Sequence, residues 1–180
     1  DRVGSSAPGR RVRDKITVVS QILAGKTALI LGVANKWSLA HAIAQAFSRE
    51  GADLILTYQS ERQKQTVEDL AAGLKVRHMM PCDVSQDDQV AALTSELKGS
   101  GTVLNAVVHS IAFANREDLS RPFLETSREG FKLAHDVSAY SLVAVARATA
   151  PLMAAKEQGG GSLMTLTYLG SQRVVQNYNV

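Results

Sequence analysis

The sequence predicts an α/β fold, a doubly wound parallel sheet of about five strands with helices on both faces. Three observations predict it. Five short apolar runs of strand length recur along the chain. Amphipathic segments of helix length alternate with them. Short apolar runs of this kind suit strands covered on both sides.

The strand candidates are 27–31, 53–57, 76–80, 104–109 and 162–167. Ser38 is placed to cap a helix running to about Glu50, with Leu39, Ile43, Ala46 and Phe47 as its apolar stripe and Gly51 ending it. Ser60 opens the next helix, with Val67, Leu70, Ala71 and Leu74 inward. Ser85 and Asp88 have capping-box spacing ahead of Val90, Leu93 and Leu97. A longer helix is expected over 128–155, rich in Ala, Val and Ser. Strand–helix–strand units close through right-handed crossovers, and ligands of such sheets bind beyond the carboxyl ends of the strands.

Composition narrows the function. The 180 residues, 45% hydrophobic, suffice for a single core. No apolar run approaches the roughly 20 residues of a membrane-spanning helix. Cys82 is the only cysteine, and no Cys/His spacing suggests zinc. We therefore expect metal-free chemistry in a reducing, cytoplasmic compartment. His41, His78, His109 and His135 are scattered and read as surface or core residues. The net charge of +3 lies in residues 1–22, where five basic residues face two acidic ones; the rest is balanced. A nucleic-acid-binding domain carries its charge on a folded face, so this balance argues against one. Residues 1–22 are expected to be a disordered basic extension, and 23–180 the α/β domain.

The loops at the strand tips hold the candidates. Gly32-Val33-Ala34-Asn35-Lys36-Trp37-Ser38 leads into a helix whose free N–H groups attract a pyrophosphate. Only one glycine of the usual dinucleotide fingerprint is present, so an ordinary capped loop fits the spacing equally well. Gln59, ending the second strand, can accept hydrogen bonds from a ribose. Arg62 and Lys64 stand nearby, so charge leaves NADH against NADPH open. Asp83 can accept from an adenine amino group beside Val84, or it can simply begin a helix. Small residues follow His109, in Ser110-Ile111-Ala112-Phe113-Ala114. Tyr168 and Tyr178 follow the fifth strand. A phenol can donate to a developing enolate, although tyrosine pairs also serve packing.

Together these motifs resemble one family. Gly32-x5-Ser38-Leu39-Ala40, Thr57-Tyr58-Gln59, Cys82-Asp83-Val84, His109 to Ala114, Arg128 to Ser138, Thr167-Tyr168-Leu169-Gly170 and Asn177-Tyr178-Asn179-Val180 stand in the order and spacing of bacterial enoyl-acyl-carrier-protein reductases of the FabI type. These are a divergent branch of the short-chain dehydrogenase/reductase superfamily. The likeness covers about residues 22–180. It implies a Rossmann-like fold and NADH-dependent reduction of a trans-2-enoyl chain on acyl carrier protein, in fatty-acid elongation. It implies Tyr168 and Tyr178 as catalytic residues. By the same likeness Gly32, Ser38, Leu39, Gln59, Asp83, Val84 and Ile111 are cofactor contacts, Ala114 is a substrate contact, and the assembly is a homotetramer.

The sequence departs from the family in two ways. Ala112 stands where many relatives have glycine. The family's signature lysine would fall seven residues after Tyr178, beyond Val180, together with two further strands and the substrate-binding segment. The fold is thus expected to be truncated, with an exposed sheet edge and impaired turnover. Two other readings remain: a non-catalytic nucleotide-binding fragment, and another short-chain reductase such as a 3-ketoacyl reductase. The latter usually carries a Thr-Gly-x3-Gly-x-Gly loop and a serine 13 residues before the tyrosine, where Thr165 stands here.

Overall fold

The computed structural model describes residues 21–180. The expected basic extension lies, but for Gln21 and Ile22, outside the described residues. Five parallel strands form one sheet: β1 (Thr27–Leu31), β2 (Asp53–Tyr58), β3 (Val76–Pro81), β4 (Ala106–His109) and β5 (Ser162–Thr165), in the order β3-β2-β1-β4-β5. The chain winds outward from β1 to β3, then returns to lay β4 on the other side of β1. The order reverses between β1 and β4, which is where such sheets open a crevice.

Side chains alternate between two cores. Leu29, Leu31, Ile55 and Val107 pack on one face with Val90, Leu93 and Leu97 of α3 (Asp87–Gly99) and Val145 of α5 (Ser141–Thr149). Ala28, Ile30, Leu54, Leu56 and Val108 pack on the other with Ala40 and Ala44 of α1 (Leu39–Arg49) and Val67 of α2 (Glu61–Ala71). Complete burial of each large aliphatic side chain contributes about 2 kcal/mol. All five residues of β1 are buried, whereas all four of β5 are exposed. Among the described residues no helix is long and apolar enough to cross a membrane.

The strands match expectation in number, with edges moved by one or two residues. Leu104 makes a separate bridge to Met153, and β5 stops at Thr165. Three local expectations are corrected. The stripe of α1 runs through Ala40 and Ala44 with partly buried Ile43 and Phe47, while Leu39 is 64% exposed. Ser38 is the N-cap, so Leu39 takes the first helical position and points off the packed face; the small alanines let the helix approach the sheet.

The Ser85–Asp88 capping box does not form. Asp83 accepts from both the backbone N–H (3.0 Å) and the hydroxyl (2.7 Å) of Ser85, so the serine closes an Asx turn instead. Gln86 is then the N-cap, without a side-chain bond, and Asp87 and Asp88 occupy the first turn of α3, where the helix dipole favours them.

The long helix is interrupted and shorter than expected. α4 (Arg128–His135) passes into a π turn (Asp136–Tyr140), then α5, and a 3-10 turn (Ala150–Leu152) ends it. Pro151 supplies no backbone donor, so the α ladder cannot continue. At the end of the π turn Ser141, the first residue of α5, donates its hydroxyl back to the Val137 carbonyl, a local bond of the kind that bends helices.

Candidate active site

Two clefts open at the carboxyl end of the sheet and share a wall. The first lies over the tips of β1 to β4 and is lined by Gly32, Gln59, Asp83, Val84 and Ile111, with Ser110, Ala112 and Phe113. Gly32 leaves β1 at φ +100°, and a Cβ there would overlap the Ser110 carbonyl oxygen. Only glycine permits this contact between the β1 and β4 tips, at the reversal of strand order.

Beside it, Gln59 donates from its amide to Asp83 (3.2 Å), which commits one of its two N–H donors and leaves the carbonyl oxygen to accept. Burial raises the Asp83 pKa, but the backbone and hydroxyl of Ser85 and the Gln59 amide outweigh it, holding the carboxyl below its ordinary value. Asp83 therefore faces the cleft as an anion. Lys64, expected to offer positive charge here, is 3.8 Å from Glu61 and lies over the Tyr58 ring. Burial, then the charge of Asp83, pushes the Cys82 thiol up to about 11, so it lines the cleft as a neutral thiol and not as a nucleophile.

The second cleft is lined by Ile111, Ala112, Phe113, Ala114, Tyr168 and Tyr178, among others. The two phenol rings lie 4.9 Å apart, tilted by 31°. Tyr168 folds back over Gly170, where a Cβ would come within 2.8 Å of its ring. The segment carrying Tyr178 is tied down through Asn179, whose amide donates to the Arg121 carbonyl (3.0 Å). Both tyrosines are about half exposed. The segment 111–113 is common to both clefts, so the structure places Gly32, Gln59, Asp83, Val84 and Ile111 in one cleft and Ile111, Ala114, Tyr168 and Tyr178 in the adjoining one. Ser38 and Leu39 do not line it. Ser38 accepts from the His41 N–H (3.3 Å) and donates to the Asn35 carbonyl (2.7 Å), which shapes the loop leading into α1.

Sequence reasoning missed the residues that hold the wall. Buried His109 lies 2.7 Å from Ser141 and 3.3 Å from Thr165. Ser138 bonds the backbone of Phe113 twice. The one available signal was the pair of serines three residues apart in the Ala- and Val-rich helix.

An open parallel sheet with a glycine-gated crevice at its reversal point, an acceptor pair at the tip of β2 and β3 and small residues after β4 defines the dinucleotide-binding class of doubly wound proteins. Comparison with known proteins narrows this. Residues 32–180 match the family model described as enoyl-(acyl carrier protein) reductase, and the chain belongs to that family. It is 45% identical over 162 residues to an enoyl-acyl-carrier-protein reductase (NADH) of Bacillus cereus, covering 89% of this chain and 62% of that one. It is 43% identical over 160 residues to a relative named for NADPH from Staphylococcus aureus, covering 88% and 61%. The crystal structure of the NADH-named reductase of Aquifex aeolicus superposes with a TM-score of 0.82 at 43% identity, covering 88% of this chain and 62% of that chain. The chain thus spans about three-fifths of the length of the relatives it matches.

Proposed function

We propose that the chain provides the cofactor half and the tyrosine pair of an NADH-dependent enoyl-acyl-carrier-protein reductase acting in fatty-acid elongation. The observation that carries this is the shared wall: the segment that closes the glycine-gated cleft also floors the cleft holding Tyr168 and Tyr178. Gly32, Gln59, Asp83, Val84 and Ile111 hold the dinucleotide; Ser38 and Leu39, which do not line the cleft, serve it by starting α1 and shaping the loop that follows Gly32. NADH supplies the hydride that reduces the β-carbon of a trans-2-enoyl thioester.

The chain's own residues handle the charge that follows. As the thioester oxygen gains negative charge, the Oη–H groups of Tyr168 and Tyr178 donate hydrogen bonds to it. Ala114 leaves room for the acyl chain beside them. Thr165, in the place of the 3-ketoacyl reductase serine, is hydrogen-bonded to the buried ring of His109, which disfavours that alternative.

NADH is preferred over NADPH. A 2′-phosphate next to Gln59 would face the ionised Asp83, while Lys64 is turned to Glu61 and Arg62 is an exposed side chain on the first turn of α2. The donor protein is acyl carrier protein and the compartment the cytoplasm. The exposed Phe131, Leu133, Tyr140 and Val143, spread from α4 to α5, supply an apolar surface for the family's tetramer.

Binding is the deciding measurement, because the chain spans only part of its relatives' length. NADH fluorescence is expected to report saturable binding, with NADPH weaker by about tenfold, the size expected for one unscreened like-charge contact. Asp83→Asn should narrow that gap. Tyr168→Phe and Tyr178→Phe should leave NADH binding intact and weaken crotonyl-CoA binding to the NADH complex. Absence of NADH binding by the unmodified chain would refute the proposal.

A further inference from the structure

The π turn of the long helix has a consequence at the wall between the clefts. Residues 111–114 belong to no strand or helix. Two hydrogen bonds hold this stretch among the described residues, and both end on Ser138: its Oγ accepts from the Phe113 N–H (3.0 Å) and donates to the Phe113 carbonyl (3.1 Å). The assignment is self-consistent, since one hydroxyl has one proton to give and lone pairs to receive. Phe113 lines both clefts, and its side chain is half exposed, so packing alone holds it weakly.

Three residues on, Ser141 donates to the Val137 carbonyl (2.6 Å) and meets the buried His109 ring at the end of β4. The same helix therefore grips the β4 tip through Ser141 and the stretch beyond it through Ser138. The π turn lies where a regular helix would have continued, and such turns gather at functional sites.

We propose that Ser138 is a positioning residue for both clefts: by holding the Phe113 backbone it sets the wall against which the dinucleotide and the enoyl thioester lie. This rests on the enoyl-reductase reading and assigns a determinant of ligand placement within it. Ser138 acts through the backbone of Phe113; it also lines the tyrosine cleft but not the dinucleotide cleft, so NADH affinity reads the clamp separately from any direct contact with the thioester.

The test uses the 180-residue chain with Ser138→Ala, which removes both bonds, and Ser138→Thr, which keeps the hydroxyl. Amide exchange at Phe113, read by NMR without ligand, should accelerate in Ser138→Ala and stay slow in Ser138→Thr. The NADH dissociation constant should rise about tenfold in Ser138→Ala, the scale of one hydrogen bond, and return toward the unmodified value in Ser138→Thr. Melting temperature reports a merely structural role, which would lower it without a difference in affinity. If Ser138→Ala does not fold, Ser138→Cys carries the same comparison with a poorer hydrogen-bonding group of similar size. Unchanged Phe113 exchange overturns the proposal, as does faster exchange with unchanged NADH affinity. Failure of the unmodified chain to bind NADH overturns the enoyl-reductase reading and the proposal with it, while leaving the exchange result as a separate measure of the clamp.

Discussion

The two sides of the sheet are built differently. On the β1–β3 side, β1 is wholly buried and β2 is buried from Leu54 to Tyr58, so loops leaving these two strands start from a rigid base, while the edge strand β3 has no buried residue. On the β4–β5 side, β4 is buried from Val107 but every residue of β5 is exposed. The cleft over the first side is placed by burial. The tyrosine cleft is placed by side-chain hydrogen bonds and aromatic contact: Ser138 to Phe113, Asn179 to Arg121, and the two phenol rings together. Burial gives stiffness without specific partners; hydrogen bonds give it only where each partner is present, so the second region should be the more easily perturbed.

Gly32 joins the two sides, and replacing it should break both. Gly32→Ala drives a methyl into the Ser110 carbonyl and forces alanine to φ +100°. Neither backbone can yield without parting the β1 and β4 tips. The expected cost is about 3 kcal/mol or more, combining backbone strain with overlap. Chemical denaturation should read that loss, and NADH titration should show binding abolished. A stable, NADH-binding Gly32→Ala would mean that the tips are looser than the burial of β1 implies.

This contrast also marks what could be read from the sequence. The five strands, their order along the chain and the loops at their tips follow from apolar runs bounded by helix signals, because those runs answer to local burial. Ser85 misled because its local spacing fits a capping box, whereas Asp83, two residues away, competes for the same hydroxyl. Leu39 misled because it is large and apolar at the first helical position, whereas the face of α1 that packs on the sheet runs through the small Ala40 and Ala44. The π turn and its serine contacts were not readable, since Ser138 meets Phe113 across 25 residues and Ser141 meets His109 across 32. Strand pairs on the β1–β3 side are separated by short crossovers; the tyrosine side is assembled from such distant pairs.

His109 sharpens the comparison through pH. It is fully buried at the end of β4, and burial holds its pKa below the ordinary 6.5. Below about pH 6.5 the unfolded chain therefore binds a proton that the folded chain refuses. The contribution of the neutral ring is fully present above that value and is lost as pH falls toward the folded pKa, at up to about 1.4 kcal/mol per pH unit. Melting temperature should thus be flat near pH 7.5 and fall toward pH 5.5. His109→Gln should be less stable at pH 7.5, because it disturbs the Ser141 and Thr165 contacts, yet show a shallower decline with acid. An equal decline in both proteins would assign the acid sensitivity elsewhere.

The smallest effect on folding is expected at the exposed edge. β5 pairs with β4 on one side, and among the described residues no strand pairs with its other side. Leu163, Met164 and Leu166 are each about 40% exposed along it. Unpaired backbone flanked by apolar side chains favours association with another strand. Met164→Lys places a charge there at little cost, because the side chain is already partly in water. Its effect on unfolding free energy should stay within about 0.5 kcal/mol. Light scattering over a concentration series should nevertheless show less self-association than in the unmodified chain. The opposite pairing, a large loss of stability with no change in association, would show that Met164 packs as tightly as the residues of β1, and the proposed difference between the two sides of the sheet would not hold at that position.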